Sequence, residues 1–382
     1  MTSSIPALNL VNLRRWNGHE FVPDQISIAN GEIHPTYISN ASTLDLENSR
    51  VVPAFLNAHD HLELNHYPRT KYRDTYPNSH QWGEEVNQRL SQKPLSNLRK
   101  HSYVDKIRVG LIKNFLSGVL TVMQHGEPRK ELFATHSSVQ VIQNYKWAHS
   151  LHFSTPDEMR TAHENTPAYG RFYIHLAEGT DDLARSEYKR LRDLGCVDQR
   201  TVFVHGVGMI EDDIADAMQH GCTLVTCPTT NHYLLGAVAQ IPQWGNQVVL
   251  GSDSRLTASG DFLDEMCAFA HHWGDSALWT MLHNSHPRLA LPEAPSANLV
   301  VLGDHLHRTN VRLIFKKGVP LMGEPKFMNQ FPNMPQVDAI LDGQPRRIQT
   351  ALARWLTGGK LREAGLHVDL PFYRRWWWIR ST

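Results

Sequence analysis

A short segment near residue 60 constrains the fold of this chain more than any other. Residues 51–66 have the sequence VVPAFLNAHDHLELNH. The apolar run from Val51 to Leu56 predicts a buried strand, and His59 and His61 follow it. Residues two apart in an extended segment point to the same side, so both imidazoles could bind one metal ion. The alternative is a pair of solvated loop histidines, because a chain with 23 histidines is expected to contain a His-x-His by chance.

The same arrangement recurs downstream, where single polar side chains follow further apolar runs. His175, His205 and Asp253 each stand at the end of such a run, and Glu178 lies three residues beyond His175. Any one of them alone would more often be a satisfied polar group at a strand end. Their order together with the His-x-His motif favours a single site.

Strands and helices alternate along most of the chain. Predicted strands cover residues 118–126, 139–142, 172–176, 201–205, 222–227 and 247–251, and predicted helices cover 101–117, 181–194, 211–220, 262–273 and 277–285. This alternation predicts an α/β fold in which eight units close into a (β/α)8 TIM-like barrel with its chemistry at the strand C-termini. The barrel should be distorted around units 3–4, because residues 145–168 leave too little room for both a third helix and a fourth strand.

The two ends of the chain predict a small β-sandwich domain beside the barrel. Alternating runs joined at Asn30-Gly31 indicate a hairpin, since this dipeptide favours the left-handed turn that hairpins need. We therefore assign residues 1–50 and 295–335 to the β-domain, 51–294 to the barrel, and 336–382 to a helical, Trp/Arg-rich extension. Three interpretations of the segment Phe372–Trp378 stay open: packing on the barrel or a second subunit, membrane-interface contact, or stacking on single-stranded nucleic acid.

Composition narrows the class of partner. The chain has 382 residues, with 38 basic and 38 acidic side chains, so no net charge draws it to nucleic acid. Four scattered cysteines without C-x-x-C spacing suit reduced thiols, and no signal peptide or membrane span is recognised. We expect a cytoplasmic protein with a small-molecule substrate, no nucleic acid and no membrane span. A homo-oligomer stays open.

The ordered set His-x-His, His-x-x-Glu, His and Asp resembles the amidohydrolase superfamily, in particular the branch of cytosine deaminase, guanine deaminase and the triazine hydrolases. The resemblance covers roughly residues 20–330. It implies a metal site whose ligands are His59, His61, His175 and Asp253. Three imidazoles and one carboxylate suit one divalent ion, zinc rather than iron, and leave a position for water. Two features depart from the family pattern: Pro53-Ala54 replaces the usual Pro-Gly, and residues 336–382 have no counterpart.

The resemblance also implies catalytic roles. Glu178 would transfer a proton from water to a substrate nitrogen. His205 would hydrogen-bond the water or the substrate, and Asp253 would accept a proton from the water as well as bind the metal. Substrate contacts are expected from the polar insertion at residues 63–100, with Glu63, Asn65 and Trp82 as candidates beside His205. Cys227 and Asn231 are interpreted as mainly structural.

The function that follows is a metal-dependent hydrolase in which an activated water attacks an sp² carbon. Deamination of a small nitrogen heterocycle is the leading hypothesis, because Glu178 suits proton delivery to a ring nitrogen. Hydrolysis of a cyclic or linear amide is the alternative within enzymes. A catalytically silent barrel that serves as a binding subunit is the alternative outside them.

Overall fold

A computed structural model describes residues 7–133, 137–291 and 296–370 of the chain. The aromatic segment Phe372–Trp378, with its three interpretations, lies outside the described residues. The described chain is an α/β protein with a barrel and a β-domain built from both chain ends, as predicted. Its domain limits remain predictions. No helix in the described ranges has the length and apolar character that crossing a membrane requires.

The N-terminal strands belong to the β-domain. They are β1 (Leu8–Trp16), β2 (Phe21–Ala29), β3 (Glu32–His34) and β4 (Ser42–Pro53). The predicted hairpin joins β2 to β3, with Asn30 at φ 54° and Gly31 at φ 80°. Two successive positive φ angles are the geometry that the Asn-Gly signal predicts.

Eight parallel strands follow and form the barrel. They are β5 (Phe55–Asp60), β6 (Val119–Gln124), β7 (Gln140–Val141), β8 (Tyr145–Ser150), β9 (Arg171–Leu176), β10 (Thr201–His205), β11 (Thr223–Thr226) and β12 (Val248–Leu250). The strand predicted at 51–56 is divided, because Val51 pairs with Val301 in the β-domain and a new strand begins at Phe55. The end of β12 is joined to β5 where the backbone N–H groups of Ser252 and Asp253 donate to the His59 carbonyl, both at 3.0 Å.

The barrel is interrupted between its third and fourth strands. β5, β6 and β7 form one hydrogen-bonded sheet, and β8 to β12 form another. β7 has two residues, and only residues 142–144 separate it from β8, so no helix lies between them. This interruption lies where the sequence leaves too little room for a third helix.

Helices cover the barrel and extend its first loop. They are α1 (Ser79–Arg89), α2 (Leu95–Arg99), α3 (Tyr103–Leu116), α4 (Lys130–Phe133), α5 (Pro156–Glu164), α6 (Asp182–Asp193), α7 (Glu211–Gln219), α8 (Pro228–Leu235), α9 (Phe262–Trp273), α10 (Asp275–His283), α11 (Ser285–Arg288), α12 (Pro325–Met328) and α13 (Thr350–Thr357). Among them, α1 and α2 lie in the insertion between β5 and α3. The short helix α12 packs in the β-domain core with Phe327 and Met328.

The C-terminal strands complete a ten-stranded sheet with β1 to β4. They are β13 (Leu299–Leu302), β14 (Val311–Lys316), β15 (Val319–Gly323), β16 (Gln336–Leu341), β17 (Gln344–Gln349) and β18 (Leu366–Val368). Residues 336–370 therefore differ from the predicted helical extension, because they contain three strands beside the helix α13. The signal is the alternation in β16, where buried Val337, Ala339 and Leu341 are separated by exposed residues.

A buried ion pair joins the inner surface of α3 to the barrel. Lys113 Nζ lies 2.9 Å from Asp60 Oδ2, and both side chains are fully buried. Lys113 also donates to Ser252 Oγ at 3.0 Å and to the Asp253 carbonyl at 2.8 Å. Asn114 Nδ2 donates to Asp60 Oδ2 at 2.7 Å. One ammonium group thus connects α3, β5 and the loop after β12.

Removing one charge of this pair should destabilise the protein strongly, because the other charge stays buried without its partner. We expect Lys113→Met to lower the free energy of unfolding by about 3–5 kcal/mol. The double variant Lys113→Met/Asp60→Asn should recover much of that loss. Urea unfolding of the wild type, both single variants and the double variant measures the coupling. A Lys113→Met variant as stable as the wild type would contradict the assignment of an ion pair here.

A second buried carboxylate joins the C-terminal segment to the barrel. Glu363 accepts hydrogen bonds from Arg255 at 2.7 and 2.8 Å and from Arg308 at 2.6 Å. Burial raises the pKa of Glu363, but the hydrogen bonds and charges of the two arginines outweigh it, so its pKa lies below the ordinary value. An acid whose pKa is lower in the folded state stabilises the fold above its unfolded pKa.

The stabilisation by Glu363 should therefore depend on pH. At pH 7 we expect Glu363→Gln to cost about 2–3 kcal/mol of unfolding free energy. That difference should be fully present above the pKa of an unfolded glutamate, about 4.3, and should shrink as the pH falls further through the lower folded-state pKa. Unfolding titrations of both proteins between pH 3 and 7 measure it, with Glu20→Gln as a control at an exposed carboxylate. A difference that stays constant across this range would show that the charge is not involved.

Candidate metal centre

Polar side chains from five strand ends converge at one opening of the barrel. β5 contributes His59 and the following His61, β6 is followed by His125, and β9 and β10 contribute His175 and His205. Asp253 follows β12. Of these side chains His61 is partly exposed and the others are buried.

The four predicted ligands lie close together. The Nε2 atoms of His61 and His175 are 3.3 Å apart. Asp253 Oδ1 lies 3.8 Å from His59 Nε2 and 3.9 Å from His61 Nε2. Ligand atoms fall within 4.8 Å of one another in two overlapping groups, His59 with His61 and Asp253, and His59 with His125 and His175.

The geometry of these nitrogens fits a divalent ion. His175 Nδ1 donates to the His149 carbonyl at 2.7 Å, so a neutral ring leaves its Nε2 lone pair facing His61. Two nitrogens bound tetrahedrally at 2.0–2.1 Å from zinc would be about 3.3–3.4 Å apart. His59 Nε2 is buried with no hydrogen-bond partner among the described residues. A metal ion would supply the partner that this buried nitrogen lacks.

Burial favours the neutral form of three of these imidazoles, and the neutral form is the one that binds metal. Burial lowers the pKa of His59 and of His175 well below the ordinary value, and the neighbouring imidazoles lower both further. Burial also lowers the pKa of His205 to about 4. The site therefore presents lone pairs rather than positive charges at neutral pH.

The backbone is strained where it presents these side chains. Asp253 has φ 51°, His205 has φ 79° and Ala177 has φ 51°, all in the left-handed region that non-glycine residues rarely adopt. Hydrogen bonds hold these segments: Lys113 donates to the Asp253 carbonyl and the Gly208 N–H to the Ala177 carbonyl, both at 2.8 Å. Three of the ten non-glycine residues with positive φ in the described ranges thus stand at the strand ends that form the cluster.

Glu178 lies beside the cluster under the first helix of the insertion. Its Oε1 is 3.5 Å from His205 Nε2. Burial raises the pKa of Glu178 well above the ordinary value, the Asp253 charge raises it further, and a hydrogen bond from Ser79 opposes both. The Ser79 N–H, in the first turn of α1, also donates to the Glu178 carbonyl at 2.8 Å. Burial beside Asp253 therefore favours the protonated form of this carboxyl group more than water would.

A cavity of about 550 Å³ opens onto these residues. Glu63 and Trp82 line it, as the sequence predicted for substrate contacts, together with His205. Glu63 accepts from Gln124 Nε2 at 2.6 Å. The prediction for Asn65 is wrong, because its buried amide donates to Asp60 at 2.8 Å and does not line the cavity.

Three residues of the site were not recognised as such from the sequence. His125 follows an apolar strand just as His59 does, so its position was a usable signal. Lys113 was indistinguishable from a solvated helix residue. Asn231 was interpreted as mainly structural, but its Nδ2 lies 2.8 Å from His205 Nδ1 and orients that ring.

Two curated relatives are deaminases. The chain is 24% identical over 285 residues to a 5-methylthioadenosine/S-adenosylhomocysteine deaminase of Lawsonia intracellularis, covering 61% of this chain and 64% of that protein. It is 40% identical over 86 residues to an aminodeoxyfutalosine deaminase of Deinococcus radiodurans, covering 22% of this chain and 20% of that protein. The chain thus spans less than two thirds of the length of either relative. No protein-family profile matches it.

Solved structures share the fold at low identity. An adenosine deaminase from Xanthomonas campestris with bound zinc has a TM-score of 0.59 at 13% identity, covering 82% of this chain and 92% of that one. The atrazine chlorohydrolase of Arthrobacter aurescens TC1 complexed with zinc has a TM-score of 0.63 at 12% identity, covering 82% and 95%.

The sequence relatives, the shared fold and the converging histidines and aspartate agree with one another. The chain is thus similar in sequence to two deaminases, and it shares its fold with a zinc-bound adenosine deaminase and a zinc-bound atrazine chlorohydrolase.

Proposed function

We propose that this chain is a metal-dependent aminohydrolase that deaminates a small nitrogen heterocycle. The observation that carries the proposal is a buried carboxyl group, Glu178, whose Oε1 lies 3.5 Å from His205 in the cluster of imidazoles and Asp253. Both curated relatives are named as deaminases, which supports the same reaction class. The site lies in a (β/α)8 barrel whose third unit lacks its helix.

We assign one divalent ion to His59, His61, His175 and Asp253, with zinc ahead of iron. Three imidazole nitrogens and one carboxylate oxygen suit either ion, and two structural neighbours contain zinc. When bound, such an ion supplies Lewis acidity and lowers the pKa of a water molecule. A site in which four protein ligands left no position open would have a structural role only. The assignment therefore includes space for a water molecule beside the four ligands.

Glu178 is the proton carrier in this proposal. Its carboxylate accepts a proton from the attacking water and delivers it to the ring nitrogen next to the carbon under attack. The new C–O bond forms at that carbon, the C–N bond to the amino group breaks, and ammonia leaves with a second proton from the water. Burial raises the pKa of this carboxyl group, which helps it to hold the proton between accepting it from water and delivering it to the ring nitrogen.

His205 orients the reacting groups beside Glu178. Asn231 hydrogen-bonds Nδ1 of His205, and Nε2 of His205 faces the Glu178 carboxyl. From this position a ring N–H can donate to oxygen as negative charge develops there. Asp253, in addition to binding the ion, accepts a proton from the water.

The cavity suits a flat, partly apolar ring. Trp82, Trp147 and Phe153 line it, and Glu63 supplies a carboxylate at its wall. Aromatic walls stack on heterocycles, while the Glu63 carboxylate can fix orientation through an N–H or O–H of the substrate.

The metal assignment predicts tightly bound ion in a fixed ratio. We expect about one zinc or iron per wild-type chain by elemental analysis, and loss of that metal in His61→Ala and in Asp253→Ala. His34→Ala, at an exposed position in β3, should keep it. A well-folded wild type that binds neither ion after both are supplied would exclude the hydrolase and favour the binding-subunit hypothesis.

The role of Glu178 predicts a separation of binding from turnover. Glu178→Gln keeps the shape of the side chain, so it should keep the metal while losing about 10²–10⁴ of the deamination rate. Ammonia release from amino-purines, amino-pyrimidines and cyclic amides identifies the substrate first. A variant with nearly the full rate would contradict the proton transfer. Turnover of a cyclic amide without ammonia would favour amide hydrolysis.

A further inference from the structure

His125 is the buried histidine of this cluster that the proposed function leaves without a role. Its ring stacks on that of His175 with the centroids 4.0 Å apart and the planes at 4°. His125 Nε2 lies 3.1 Å from the Ala148 carbonyl oxygen, and its Nδ1 lies 3.2 Å from His59 Nδ1. Both ring nitrogens therefore have a partner.

These two contacts determine where the hydrogens lie. A carbonyl oxygen can only accept, so His125 Nε2 must carry the hydrogen that Ala148 receives. A neutral imidazole has one such hydrogen, which leaves a lone pair on His125 Nδ1. The His59 Nδ1–H then donates to that lone pair. The remaining nitrogen of His59, Nε2, is left with its own lone pair.

That remaining nitrogen points to the place where a ligand is needed. His59 Nε2 is fully buried, has no hydrogen-bond partner among the described residues, and lies 3.8 Å from Asp253 Oδ1. In the opposite tautomer its N–H would face the ligand cluster and no lone pair would be available. The tautomer of His59 is thus decided by its contact with the neighbouring His125.

The interrupted barrel makes the Ala148 carbonyl available. β7 pairs with β6 over only two residues, and β8 pairs with β9 on its other side. The edge of β8 next to β7 therefore has no strand hydrogen bonds in the described sheets. The carbonyl of Ala148, on β8, therefore accepts a hydrogen bond from the imidazole of His125, which follows β6.

We propose that His125 is a positioning residue that holds His59 in the tautomer whose Nε2 lone pair faces the metal position. The inference rests on the proposed metal site. His125 does not itself serve as a ligand in this arrangement, because both of its nitrogens are occupied by Ala148 and His59. Residues that hydrogen-bond the second nitrogen of a metal-binding histidine fix its tautomer and raise its basicity.

Three variants at one position separate this role from simple packing. In His125→Asn the amide oxygen can reach the place of Nδ1 and accept from His59. In His125→Gln the amide reaches the place of Nε2 and keeps the Ala148 contact, but offers no acceptor to His59. His125→Leu removes both contacts. His163→Asn is the control, since it replaces another buried histidine outside the cluster.

The measurement is zinc affinity by chelator competition on the metal-free full chain, with the visible absorption of the cobalt-substituted protein as a second readout. We expect His125→Leu and His125→Gln to weaken zinc binding about 10–100-fold. Asn should stay within about threefold of the wild type. The cobalt spectrum of His125→Asn should keep the wild-type band positions, because the ligand set is unchanged.

Every other result counts against the proposed role of His125 or against the metal site. Equal losses in His125→Asn and His125→Gln would overturn the tautomer role, and a changed cobalt spectrum in His125→Asn would make His125 a ligand instead. A zinc affinity that is unchanged in all three variants would also overturn the tautomer role. The comparison of Asn with Gln does not depend on whether the Leu variant folds. Failure of the wild type to bind zinc or cobalt would count against the metal site itself, not against His125 alone.

Discussion

A neutral imidazole carries one hydrogen on two nitrogens, and this constraint governs the whole cluster. Each ring that offers a lone pair to the centre must send its hydrogen outward to an acceptor. His175 donates to the His149 carbonyl, and His125 donates to the Ala148 carbonyl and so directs His59. Consecutive carbonyls of β8 thus receive hydrogens from two rings. The strand next to the interruption in the barrel determines the protonation pattern of the site.

A second constraint is the cost of holding strained backbone in place. Asp253 adopts a left-handed conformation three residues after the end of β12, so the direction of its carboxylate depends on the segment around it. Lys113 donates to its carbonyl and to Ser252 while paired with Asp60, at the end of β5 next to His59. Such a buried charge is costly unless fully compensated, and here Asn114 contributes a further hydrogen bond. The network fixes the segments that carry His59 and Asp253 relative to each other.

The sequence predicts features that depend on the local order of residues. It does not predict contacts between residues that are far apart in the chain. Strand ends carrying His59, His175 and Asp253 follow apolar runs, so both the alternation and the motif order indicate them. The apolar positions of α3, such as Ile107 and Leu111, predict a polar opposite face containing Lys113. In the structure that face is also buried, because the helix packs between the barrel and the segment at Leu62–Leu64. No periodicity could show that Asn65 would turn inward to Asp60 instead of lining the cavity.

The C-terminal segment, which has no counterpart in the family pattern, reaches the candidate site through one ion pair. Glu363 binds Arg255 through both carboxylate oxygens, and Arg255 lies two residues after Asp253. The backbone N–H of Arg255 donates to Asn65, whose amide donates to Asp60. Hydrogen bonds of Arg255 and Asn65 therefore connect Glu363 to Asp60, on the strand that carries His59. Residues 336–370 thus extend the sheet and also hold the segment after Asp253 against the end of β5.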